Sequence, residues 1–258
     1  MLNLLESDLL YWVSQYFLPL VRLASFFMAA PIFSTRIVST RIRLILTLSI
    51  TILIVPILPP APLVSGIDVS MFIIVAQQIL IGVALGFTFQ VVFQLFVLAG
   101  QYIAMKLGLG FASMNDPSNG VSVTIVSQFY LLTTTLLFLS FNGHLILIQI
   151  LVDSFTAIPI GTVGISTSNI YRIVELGGWM FGSALVISMP VLTALLVVNV
   201  AFGVMSRSAP QMNIFAVGFP ITLIFGLMIM WVGFSAFLSS FELFIDEGIA
   251  FALTLLTP

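Results

Sequence analysis

Few residues in this chain can do covalent or acid–base chemistry. Among 258 residues there is one histidine, His144, and no cysteine, so thiolate chemistry, disulfides and a multi-histidine metal site are excluded within the chain. His144 follows Phe141-Asn142-Gly143 at an expected helix end, where it reads either as an interfacial capping residue or as the base of a catalytic dyad. No Gly-x-Ser-x-Gly elbow accompanies it. Asp153 and Ser154 read as an interfacial acid and a helix cap rather than as triad partners. No metal or cofactor is expected, because eight of the nine acids are spread over one set of helix ends and loops.

Arg22 is the unusual charge. It interrupts an apolar segment from about Leu9 to Ala30, and a cation inside such a span costs about 2.5–3.5 kcal/mol on insertion scales. It must face water, a protein partner or the membrane interface, and the sequence does not say which group receives it. A second unusual stretch runs from Lys106 through Gly108, Gly110, Phe111, Met114, Asn115, Asp116 and Pro117 to Gly120. Its glycines and proline stop a helix while Phe111 and Met114 put bulky apolar groups into the loop, a composition that suits either an interfacial turn or a plug.

The elements that carry these residues are helices of membrane type. Hydrophobic residues make up 60% of the chain and charged ones 6%, against about 25% in soluble domains, and the mean hydropathy is +1.26. Uncharged runs of 24, 37, 36, 31 and 34 residues separate Arg43, Asp68, Lys106, then Asp116 and Asp153, then Glu175, Arg207 and Glu242. Each exceeds the ~20 residues that cross a bilayer, and with the Arg22 segment they predict about six long helices in an all-α polytopic fold. The third, Val69 to Met105, would be ~55 Å long if unbroken, so it must tilt, project, or break near Gly82 or Gly100. Asn142-Gly143 and Pro159-Ile-Gly161 frame an expected connection reaching Asn169.

With alternating spans and an outer N-terminus, Arg36, Arg41, Arg43, Lys106 and Arg207 fall on the inner side and only Arg172 outside, a basic asymmetry that favours both termini outside. The acidic opening around Glu6 and Asp8 is unlike a signal peptide, and a near-neutral charge of -2 gives nucleic acid no basic surface. Small-xxx-small pairs at Gly82/Gly86, Ala104/Gly108 and Gly178/Gly182 predict close helix packing, within the chain or against a partner.

Taken in order, Arg22 before Ala29-Ala30-Pro31-Ile-Phe33, the Arg36/Arg41/Arg43 loop, Gln77-Gln78-Ile-Leu-Ile-Gly82, Gly108-Leu-Gly110-Phe111 through Asp116-Pro117, Phe138-Leu-Ser-Phe-Asn142-Gly143-His144, and Arg207-Ser-Ala-Pro210-Gln211-Met-Asn213 resemble the FliR family of flagellar biosynthetic proteins. The chain departs from that pattern at Gln101 and Lys106, where such relatives often carry glutamate and glutamine. The resemblance implies a non-enzymatic export-gate subunit of the type III secretion apparatus, assembled with FliP and FliQ in the inner membrane at the flagellar basal body. FlhA, FlhB, membrane lipid and exported flagellar proteins in transit are the further partners it implies. It also implies a FliP-like part over residues 1–169 and a FliQ-like helical hairpin over 170–258. In that reading Gly110, Phe111, Met114, Asn115, Asp116 and Pro117 belong to a pore plug, while Arg207, Pro210, Gln211 and Asn213 lie in the cytoplasmic loop of the hairpin. A small-solute transporter is the alternative; it calls for midplane ionisable residues in corresponding halves, and Arg22 has no counterpart.

Overall fold

The computed structural model describes residues 11–35, 38–60, 68–110, 124–162, 164–208 and 214–256. Among them are eight α-helices and no strand: α1 (Leu18–Ala29), α2 (Thr40–Ile54), α3 (Val69–Lys106), α4 (Ile125–Ser140), α5 (Gly143–Ala157), α6 (Thr167–Ser208), α7 (Ile214–Val232) and α8 (Phe234–Leu255). The all-α membrane-type fold expected from composition is what forms.

Local chemistry sets the element ends. A π-helical turn, Val13–Phe17, leads into α1, because Pro19 donates no hydrogen bond and its ring would press on the carbonyl of Gln15 in a regular helix. Ser39 caps α2 by accepting from the Ile42 N–H at 3.4 Å, and Thr47 and Thr51 donate to the carbonyls of Arg43 and Thr47, so these two buried hydroxyls are satisfied inside the helix. Asp68 accepts from the Ser70 hydroxyl at 2.6 Å and the Met71 N–H at 3.2 Å at the start of α3; these bonds hold its carboxyl below the usual range.

Among the described residues, three segments are long and apolar enough to cross a membrane alone: Thr40–Ile57, Val69–Lys106 and Thr167–Met205. Two bent pairs, α4 with α5 at 70° and α7 with α8 at 57°, raise the number to five if each pair is one span. The expected first span begins in residues outside the described ones. Helix α3 is unbroken over 38 residues, ~57 Å, so Gly82 and Gly100 do not break it. Conversely, the connection expected from Asn142 to Asn169 contains the 15-residue helix α5. Its run His144-Leu-Ile-Leu-Ile-Gln-Ile-Leu-Val152 buries Leu147, Ile150 and Leu151 at helical spacing, and apolar burial outweighs the turn signal of Asn142-Gly143. That signal instead makes the bend: Asn142 has φ +57°, and a Cβ on Gly143 would meet the Phe138 ring at 2.5 Å.

The helices pack as two compact units. The first holds residues 1–91, 138–177 and 247–258, with a core of Leu23, Phe26 and Phe27 from α1, Ile81, Leu85 and Phe89 from α3, and Leu147, Leu151 and Phe155 from α5. The second holds residues 92–137 and 178–246 and centres on aromatics: Phe96 and Tyr130 meet the Phe237 ring edge-on at 5.6 and 4.9 Å.

Candidate functional site

The most polar site in the first unit is built around Arg22, which is fully buried. Its side chain reaches two other elements, α3 and the end of α5. Nε donates to Gln78 Oε1 on α3 at 2.8 Å; one terminal nitrogen donates to the Ser154 carbonyl at 2.8 Å and lies 3.2 Å from Ser154 Oγ; the other donates to the Ile158 carbonyl at 2.9 Å. The guanidinium also stacks over Phe155, 4.2 Å from the ring centroid.

No carboxylate is among these partners. The Ser154 and Ile158 carbonyls belong to the last turn of α5 and the residue just past it, where a helix carries its partial negative charge. Arg22 therefore caps α5 from a neighbouring helix, and the planar fork satisfies carbonyls that a lysine could not reach together. The arginine neither snorkels nor awaits an acid: its partners are neutral groups of its own unit. Sequence reasoning missed Gln78, Phe155 and the two carbonyls. The available signal was Gln77-Gln78, a polar pair inside a 37-residue uncharged run.

Gly82 and Gly86 make the node possible. A Cβ on Gly82 would run into Ser25 Oγ and the Arg22 carbonyl, and one on Gly86 would lie 2.8 Å from the Phe26 carbonyl and from Ala29 Cβ. This small-xxx-small pair therefore packs within the chain, α3 against α1. Gly178 and Gly182 behave differently: a Cβ on either would meet nothing within 4 Å.

The predicted plug loop starts in the second unit, where α3 ends on a Schellman turn. Gly108 has φ +78°, the Leu109 N–H donates to the Ala104 carbonyl at 2.9 Å, and the Gly108 N–H donates to the Met105 carbonyl at 3.2 Å. A side chain at Gly108 would be strained by φ and would meet the Phe219 ring at 2.8 Å. Lys106 sits in the last turn, favourably for the helix dipole. The chain is thus turned at a fixed residue immediately before the loop. Gly110 is described, with the space of its missing Cβ against Met105, while Phe111, Met114, Asn115, Asp116 and Pro117 lie outside the described residues. Of the hairpin-loop residues, Arg207 is exposed in the last turn of α6; Pro210, Gln211 and Asn213 also lie outside the described residues.

His144 stands in the first turn of α5, and its buried Nδ1 has no hydrogen-bond partner among the described residues. No group of three or more His, Asp or Glu side chains that could hold a metal occurs among the described residues.

Comparison with known proteins decides the family. The family model described as bacterial export proteins, family 1, matches residues 13–248. Flagellar biosynthetic protein FliR of Pectobacterium carotovorum is 40% identical over 230 residues, 88% of this chain and 87% of the relative. The chain belongs to the FliR family of bacterial export proteins. FliR of Escherichia coli K12 is 38% identical over 233 residues, 89% of this chain and 88% of that protein, and FliR of Buchnera aphidicola from Schizaphis graminum is 32% identical over 97% of both. As a FliR-family protein the chain is a component of the flagellar export apparatus, with helices long and apolar enough for a membrane. Its partners lie within that apparatus.

Proposed function

We propose that the chain is a non-enzymatic subunit of the flagellar export gate in the inner membrane at the basal body. It assembles with FliP and FliQ around a channel for unfolded flagellar proteins, and FlhA and FlhB act on the same channel. Residues 1–169 form the FliP-like part and 170–258 the FliQ-like hairpin. The observation that carries this reading is the family match across residues 13–248, which covers both parts. The surface of the long helices is consistent with it: within an 18-residue apolar stretch of each, 11% is buried in the chain for α2 and 17% for α6, against 39% for α3. Two long apolar helices therefore leave most of their surface for lipid or for other subunits.

The loop after Gly110 closes the channel. Phe111 and Met114 fill the path with apolar side chains that exclude ions and are displaced by a passing polypeptide. The Schellman turn at Gly108 supports this role, since a plug needs a fixed anchor at the end of a rigid helix. Arg207 and the following Pro210, Gln211 and Asn213 lie at the cytoplasmic entrance.

Deleting residues 110–115 tests the closing role. The complex should still assemble, and cells should become leaky to ions and sensitive to small toxic solutes that the envelope otherwise excludes. An assembled complex with no leak in any export state would remove the plug from the mechanism. Arg207→Glu should reduce motility while the protein stays in the membrane; unchanged motility would remove Arg207 from the entrance.

A further inference from the structure

A groove runs along the α1–α2 hairpin of the first unit. Two cavities of about 260 and 470 Å³ share Leu20 and Leu48 as lining residues, so they form one continuous trough. Its walls are apolar: Trp12, Tyr16 and Leu20 on the α1 side, Leu44, Leu48 and Ile52 on the α2 side. Arg43 lines one end.

That end is cationic, and among the described residues the bonds of Arg43 go to neutral acceptors. Arg43 donates to the Phe33 carbonyl at 3.0 Å and the Thr35 carbonyl at 3.3 Å, neutral acceptors that orient the guanidinium without cancelling its charge. Arg41, exposed, stands two residues away at the start of α2. No Asp or Glu occurs between Asp8 and Asp68, so nothing in this hairpin offers the arginines a carboxylate. Along α2 the groove extends from Thr40 to Ile52, ~18 Å at helical rise, close to the ~15 Å that one leaflet contributes to a ~30 Å hydrocarbon core.

From this combination we infer that the α1–α2 groove binds one anionic phospholipid, its phosphate at Arg43 and an acyl chain along Leu20, Leu44 and Leu48, with the exposed Arg41 adding positive charge at the same helix end. A zwitterionic lipid fits the trough equally well but brings a cation to the arginines, so the site selects for net negative charge. Each arginine near a membrane surface contributes about 1 kcal/mol toward an anionic lipid, which is about fivefold in occupancy.

The test uses the full chain in mild detergent, presented with equal dioleoyl phosphatidylglycerol and dioleoyl phosphatidylcholine and read by native mass spectrometry. Phosphatidylglycerol should dominate the bound lipid. Arg41→Gln, which leaves the Arg43 turn bonds in place, should lower the preference about fivefold, and Arg41→Gln with Arg43→Gln should abolish it. Ala24→Phe, which fills the groove, should lower retention of both lipids, and the remote Arg172→Gln should change nothing. Equal retention of the two lipids by the natural sequence, or a preference that survives the double substitution, would overturn the site. So would phosphatidylglycerol retention indifferent to Ala24→Phe, which would mean an anion held by arginines with no chain in the groove. A subunit that crosslinks to Leu48 in the assembled complex and leaves no lipid bound would overturn it as well.

Discussion

Arg22 is the residue on which the first unit depends most. Three acceptors from two other elements, Gln78 Oε1 and the Ser154 and Ile158 carbonyls, turn toward it, the first two in buried bonds and the third in a part-buried one. Removing the guanidinium strands Gln78 Oε1 and takes the Ile158 carbonyl's donor, each at up to about 1–3 kcal/mol, while the Ser154 carbonyl keeps the Ile158 N–H at 2.9 Å. Arg22→Leu should therefore destabilise the protein by about 2 kcal/mol or more, seen as a drop in the thermal midpoint in detergent. Arg22→Lys should recover only part of it, because an ammonium cannot span all three. A variant with an unchanged midpoint would show that the node holds nothing together. The sequence marked Arg22 as anomalous but could not supply its partners, because backbone carbonyls at a helix end have no signature in side-chain types. Gln78, by contrast, was visible as polarity inside an apolar run and needed only the helix register to connect it.

At the level of elements, glycine pairs with the same spacing do two jobs. Gly82 and Gly86 let α3 touch α1, whereas Gly178 and Gly182 face open space on α6. Gly82→Ala should thus cost about 1–3 kcal/mol through a forced shift of Ser25 and the Arg22 backbone. Gly178→Ala and Gly182→Ala should leave the isolated protein within about 0.5 kcal/mol of its natural stability, by the same midpoint measurement. A reversed ranking would contradict the packing described for both helices. The spacing alone could not separate the two pairs, since it reports that backbones can approach and not what approaches. The same limit explains the bends at Asn142 and Gly233: an uncharged run has one appearance whether it forms one straight helix or two angled ones. Asn142-Gly143 was legible as a break, yet the apolar residues after it re-formed a helix that the turn signal had hidden.

For the whole molecule, composition and charge spacing were sufficient for the fold class, because 6% charge over 258 residues excludes a soluble surface. They were also enough to find α3 and α6. The division into two compact units was not legible, since four continuous helices, α3, α4, α6 and α8, each contribute one end to either unit and no linker marks the change. The large uncovered surfaces of α2 and α6 have a physical reading that low charge by itself lacks: such faces belong against lipid or against neighbouring subunits. The central claim is therefore one of assembly. It is tested most directly by extracting a tagged copy of the chain from its membrane under gentle conditions and identifying the proteins that come with it. Co-purification of FliP and FliQ in a stable complex is the predicted result; recovery as a lone monomer that moves small solutes would contradict the account.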